Sequence, residues 1–177
     1  AYDTVGLRTD GTEFPFEARG RAVIWDGRPA RVAVVRDLTH RREAEAALRA
    51  SEELNRRIIE TMPGGCVHVA ADGSILAANE EAKRFLGFTW DALSRRMVRD
   101  WEPETIREDG SACPPEEYTV VRCLATGKSQ GPTTMGVRRP DGAVSWGVFR
   151  ATPVRDPHTQ ALRGAVVTFL DITERKL

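Results

Sequence analysis

The chain has 177 residues, 41% hydrophobic and 29% charged, a globular mixture with too much apolar content for a disordered segment. Its 26 basic and 26 acidic residues cancel, and the basic ones, all arginine except Lys83, Lys128 and Lys176, are dispersed, which argues against nucleic acid as a partner. No apolar run approaches the roughly 18 residues of a membrane span, the opening residues do not read as a signal peptide, and Cys66, Cys113 and Cys123 form neither a disulfide framework nor a metal motif, so a cytoplasmic location is expected.

The first 39 residues read as a three-stranded meander. Gly6-Leu7-Arg8 leads into an Asp10-Gly11 turn, a strand containing Arg19 follows, and after a second turn an apolar strand ends at Asp37-Leu38-Thr39. Asp-Gly between apolar runs is the strongest short hairpin signal. Three strands alone leave a sheet edge and an apolar face in need of cover.

Residues 40–62 lack Gly and Pro and are rich in Ala, Glu, Arg and Leu, which predicts a long helix capped by Thr39 and stopped at Pro63-Gly64-Gly65. Ala44, Ala47 or Leu48, Ser51, Leu54, Ile58 and Thr61 or Met62 recur at a 3-4 spacing over nearly three heptads. Such a stripe suits either a parallel two-stranded coiled coil or packing on a neighbouring domain.

Beyond the helix, residues 65–80 predict a hairpin about Asp72-Gly73, with Asn79 capping a helix over EEAKRFLGF. Short helical patterns follow at 91–97 and 114–125, where Tyr118, Val121 and Leu124 are spaced for one face. The meander then returns. Gly136-Val137-Arg138 matches Gly6-Leu7-Arg8, Asp141-Gly142 matches Asp10-Gly11, Arg150 matches Arg19, and Asp171-Ile172-Thr173 matches Asp37-Leu38-Thr39. The turn at Asp156-Pro157-His158-Thr159 accounts for the greater length of the second copy. Residues 64–173 thus read β-β-α-α-α-β-β-β, and the first copy holds only the last three strands.

Taken with their order and spacing, MPGGCVHVAADGSILAANEEAKRFLGF (62–88), EDGSACPPEEYTVVRCLATGK (108–128), RRPDGAVSWGVFRATPVRD (138–156), GAVVTFLDITERK (164–176) and DLTHRR (37–42) make the chain resemble a pair of PAS domains. The resemblance implies an α+β fold, a five-stranded antiparallel sheet with short helices over one face. Residues 1–39 would be the C-terminal half of a first domain, 40–62 a linker helix, 63–173 a complete domain and 174–177 the start of an exit helix. PAS domains of bacteria typically precede histidine kinase, diguanylate cyclase or transcription-factor modules. A homodimer with an output domain downstream in the same chain is therefore expected, in a sensory and relay role, the alternative being a constitutive dimerisation spacer.

The reactive cysteine of a flavin photoreceptor and the axial histidine of a haem-binding member are both missing from the equivalent stretches, and His40, His68 and His158 have no second ligand nearby in sequence. No catalytic constellation, metal site or cofactor is evident, although an unknown small molecule could occupy a pocket. Strand parity puts Ser145, Gly147, Phe149 and Ala151 on one face and Val144, Trp146, Val148 and Arg150 on the other. By resemblance the first set faces inward, with Ile75, Tyr118, Val121, Met135, Val137, Phe149, Val167 and Phe169 as lining of either a filled core or a ligand pocket. Trp146 would then meet a flanking helix or a partner subunit. At the strand-to-helix junctions Thr39 and Thr173 are placed to cap, and Asp171 to pair with Arg175, with Asp37 and Asp171 expected to fix the angle of departure.

Overall fold

A computed structural model of the chain describes residues 2–176, which divide after Arg56 into two units. The first unit is the antiparallel meander β1 (Tyr2–Leu7), β2 (Glu13–Trp25) and β3 (Arg28–Asp37), in the order β1-β2-β3. Asp10 Oδ1 accepts from the backbone N–H of Thr12 at 2.9 Å and closes the first turn. The second turn is the two-residue pair Asp26 (φ 52°) and Gly27 (φ 73°), the left-handed combination whose twist matches that of the flanking strands. Without helices to cover it, this sheet leaves Val5, Leu7, Ile24, Val32, Val34 and Val35 exposed, and Trp25 at its tip is 74% accessible.

The hairpin register corrects the repeat by one residue at its start. Leu7 faces Glu13 as Arg138 faces Val144, and Arg8 N–H bonds Thr12 C=O as Arg139 N–H bonds Ala143 C=O. Arg8 therefore corresponds to Arg139 and not to Arg138. The similar tripeptides Gly-Leu-Arg and Gly-Val-Arg had suggested the other pairing, but backbone hydrogen bonds fix register, and a slip of one would turn every side chain to the opposite face.

Helix α1 (Thr39–Thr61) begins in the first unit and ends in the second, and none of its residues is buried. The second unit continues with β4 (Gly65–Ala70), β5 (Ile75–Ala78), α2 (Glu80–Leu86) and α3 (Trp90–Leu93). A 3-10 turn (Val98–Trp101), β6 (Thr105–Ile106), a second 3-10 turn (Pro115–Glu117) and α4 (Thr119–Thr126) follow. The chain closes with β7 (Gln130–Arg138), β8 (Val144–Arg155), β9 (Leu162–Asp171) and α5 (Thr173–Lys176). The antiparallel sheet runs β5-β4-β9-β8-β7-β6. It has six strands, not five, because Thr105 and Ile106 pair with Val137 and Gly136 along the β7 edge. Two residues are too few for a periodicity to show in sequence. The helical pattern predicted at 91–97 is helical only as far as Leu93, the end of α3, with the first 3-10 turn starting beyond it at Val98, and that at 114–125 divides into the second turn and α4.

Alternation sorts β8 and β9 as parity requires: Ser145, Gly147, Phe149, Ala151, Ala165, Val167 and Phe169 are buried, whereas Arg150 is exposed. The core centres on Phe85 of α2, Phe149 and Phe169, whose ring centroids lie 4.6 to 5.8 Å apart in tilted and edge-on arrangements. Gly65 opens β4 beneath this trio, where a Cβ would stand 2.0 Å from Phe169 Cζ.

Candidate functional site: a cavity and two strand-to-helix junctions

Between the sheet of the second unit and its helices lies a cavity of about 100 Å³. Seven of the eight residues predicted as lining face it: Ile75, Tyr118, Met135, Val137, Phe149, Val167 and Phe169. Val121 does not. On α4 each residue advances the side chain by about 100°, so Val120 and Thr119 turn to the cavity while Val121 packs away from it, in a groove with Gly73, Val98 and Leu124. Trp101 and Thr105, from segments without periodicity, also line the cavity.

No charged side chain lines the cavity. Thr105 Oγ1 donates to the Trp101 carbonyl at 2.8 Å. Tyr118 is 5% accessible, and its phenol oxygen has no hydrogen-bond partner. Burial pushes the Tyr118 pKa up to about 12, and the neighbouring Thr105 hydroxyl only partly offsets this, so the group is a neutral O–H donor at physiological pH. Cys113 and Cys123 are buried, and burial raises both thiol pKa values, but neither lines the cavity. A flavin nucleotide does not fit these residues: the volume is too small, and nothing in the lining would neutralise a phosphate.

The junctions are built alike. Asp171 Oδ1 accepts from Thr173 N–H at 2.8 Å and from Thr173 Oγ1 at 2.5 Å, and Thr173 Oγ1 accepts from Trp146 N–H of β8 at 2.9 Å. In the first copy Asp37 Oδ1 accepts from Thr39 N–H at 2.8 Å and Thr39 Oγ1 at 2.6 Å. Pro15 occupies the position of Trp146 there and has no N–H to give. Arg8 instead reaches Thr39 Oγ1 at 3.2 Å and Asp37 Oδ2 at 2.7 Å. The Thr39 hydroxyl and amide, with Arg8 beside them, lower the Asp37 pKa to about 2. The expected Asp171–Arg175 ion pair is absent among the described residues. Arg175 N–H closes the first turn of α5 on Ile172 C=O, and the orientation of α5 is fixed by Thr173 on β8. Trp146 is half-buried, with Lys176 Nζ of α5 5.4 Å from its ring centroid.

On α1, Leu48, Leu54 and Ile58 are between 51% and 61% accessible, and Met62 just beyond it is partly buried. The residue that ties the end of this helix to the second unit was legible only as a cap. Asn79 is 1% accessible and makes four hydrogen bonds: Oδ1 accepts from Ala82 N–H and Cys66 N–H, both at 2.9 Å, and Nδ2 donates to Ile59 C=O at 2.9 Å and Gly64 C=O at 3.0 Å. Glu60 adds a carboxylate contact to Glu80 N–H at 3.1 Å. The Asn preceding Glu80-Glu81 signalled the first of these bonds; nothing in sequence signalled the other three.

With this geometry in view, comparison with known proteins gives a consistent answer. The family model described as "PAS fold" matches residues 53–172, most of the chain. The chain belongs to the PAS family. A second model, "PAS domain", matches residues 1–40. Among solved structures, the PAS domain of a protein from Colwellia psychrerythraea aligns at 15% identity and a TM-score of 0.54, over 70% of this chain and 98% of its own. The PAS domain of an HTR-like protein from Haloarcula marismortui does so at 15% and 0.54, over 74% and 99%. The LOV domain of a blue-light activated histidine kinase from Erythrobacter litoralis aligns at 16% and 0.50, over 63% and 98%. Identities this low carry the PAS fold alone. No curated protein matches the sequence significantly.

Proposed function

We propose that this chain is the sensory and relay region of a multidomain bacterial signalling protein, a histidine kinase, without catalytic activity of its own. One observation carries the reading: the exit helix is bonded through Thr173 to β8, the strand whose Phe149 lines the cavity three residues from Trp146. A change of occupancy that shifts β8 would then be felt at the start of α5. The same Asp-x-Thr clamp at Asp37 and Thr39 stands at the start of α1, and Asn79 holds its far end. Two helices that enter and leave the PAS unit are thus held by hydrogen bonds, each modest enough for a two-state equilibrium to be biased through it. The shared fold with the LOV domain of a light-activated histidine kinase supports the choice of output.

The test uses the full-length protein. Asp171→Ala and Thr173→Ala remove an exposed cap worth about 1 kcal/mol, so melting should barely move while basal output changes several-fold. Output that follows stability would reduce the clamp to a cap, and unchanged output with unchanged stability would remove it from the mechanism. The exposed stripe of Leu48, Leu54 and Ile58 favours a second reading, a constitutive homodimerisation spacer, in which the same variants leave output untouched.

A further inference from the structure

We propose that the PAS cavity binds a small, neutral, largely apolar molecule bearing one hydrogen-bond acceptor, held by the Tyr118 hydroxyl. Tyr118 precedes α4 and its ring lies against the cavity, yet the phenol oxygen has no protein partner. A buried polar group left unsatisfied costs roughly 1–3 kcal/mol, and native interiors rarely leave one so. Thr105 Oγ1, a neighbour of the phenol, gives its own proton to Trp101 C=O and makes no hydrogen bond of acceptable geometry with the Tyr118 hydroxyl. A neutral phenol donates, so the missing partner is an acceptor.

Charge and size narrow the class. A charged ligand would lose its hydration against a lining of aliphatic, aromatic and uncharged polar side chains, with no counter-ion to compensate. The volume of about 100 Å³ is below the roughly 300–1,000 Å³ of sites for drug-sized ligands. It approaches that of the engineered apolar cavity of about 150 Å³ that takes benzene. A five- or six-membered ring with a single carbonyl or ether oxygen meets both limits. Beside Tyr118, the lining carries the hydroxyls of Thr105 and Thr119, while Val67, Val69, Ile75 and Phe149 are apolar.

The proposal deepens the sensory reading and rests on it for the consequence of binding. The two fail separately, because binding is read on the 177-residue chain and signalling on the full-length protein. Isotope-labelled chain, wild type and Tyr118→Phe, is titrated with cyclopentanone and with cyclopentane, and amide shifts are followed at Val120 and Phe149. Cyclopentanone should bind the wild type about 2- to 10-fold more tightly than Tyr118→Phe, a single hydrogen bond's effect, while cyclopentane binds both alike. Tyr118→Phe should melt at or above the wild-type temperature, since no partner inside the protein is lost. The proposal is overturned if neither probe shifts these amides, if cyclopentanone shows no preference for the hydroxyl, or if Tyr118→Phe alone lowers the melting temperature.

Discussion

Replacing Asn79 by alanine tests whether this residue is a cap or a buried post. An exposed N-cap replaced by Ala costs about 1 kcal/mol. Asn79 also serves Cys66 N–H, Ile59 C=O and Gly64 C=O from a side chain that is 1% accessible. Leaving each of those three partners short of a bond adds about 1 kcal/mol apiece, for a total of roughly 3–5 kcal/mol. That is a large share of the about 5–15 kcal/mol that holds a domain folded, and corresponds to a fall in melting temperature on the order of 10–20 °C. Asn79→Asp separates the two halves of the effect. It keeps an acceptor for Cys66 and Ala82 but sets a second carboxylate oxygen against the carbonyls of Ile59 and Gly64, so it should be destabilised at neutral pH and partly recover as acid protonates it. Chemical denaturation with hydrogen exchange decides the matter: the amides of Cys66 and Ala82 should lose protection in Asn79→Ala. A cost near 1 kcal/mol, with Cys66 still protected, would refute the four-bond reasoning and leave Asn79 an ordinary cap.

Three further outcomes follow from other parts of the molecule. Charged replacements at Leu54 and Ile58, both exposed on α1, should convert a parallel dimer to monomers in sedimentation, and an unchanged mass would dismiss the coiled coil. The Asp37 pKa, lowered to about 2, means that its stabilising contribution is present above about pH 3.8 and disappears as the pH falls through about 2; a carboxyl titration by NMR should show that midpoint, shifted upward in Arg8→Ala. Gly65→Ala would place a Cβ 2.0 Å from Phe169 Cζ, in a ring cluster with little room to yield, and should cost roughly 1–3 kcal/mol as overpacking. Equal melting temperatures for Gly65→Ala and wild type would show that Phe169 moves freely.

Local chemistry determined much of this protein without help from tertiary structure. Asp-Gly pairs between apolar runs placed the hairpins, the Gly- and Pro-free stretch after Thr39 placed α1, and alternation in β8 separated Phe149 from Trp146, because turn preference, helix propensity and a period of two act over a few residues. Cavity residues on strands were legible for the same reason. Val121 was not assigned correctly, because spacing on a short helix gives which residues share a face and not the direction in which that face points. Register at the start of the repeat, the edge strand β6 and the exit-helix bond from Trp146 to Thr173 were decided by backbone groups that every sequence possesses alike. Asn79 and Tyr118 mark the same division. Their polar atoms are specified by residue type, but whether each is satisfied fourfold or left without a partner depends on segments up to 20 residues away folding around it. Burial turns that difference into free energy, and only the assembled core creates the burial.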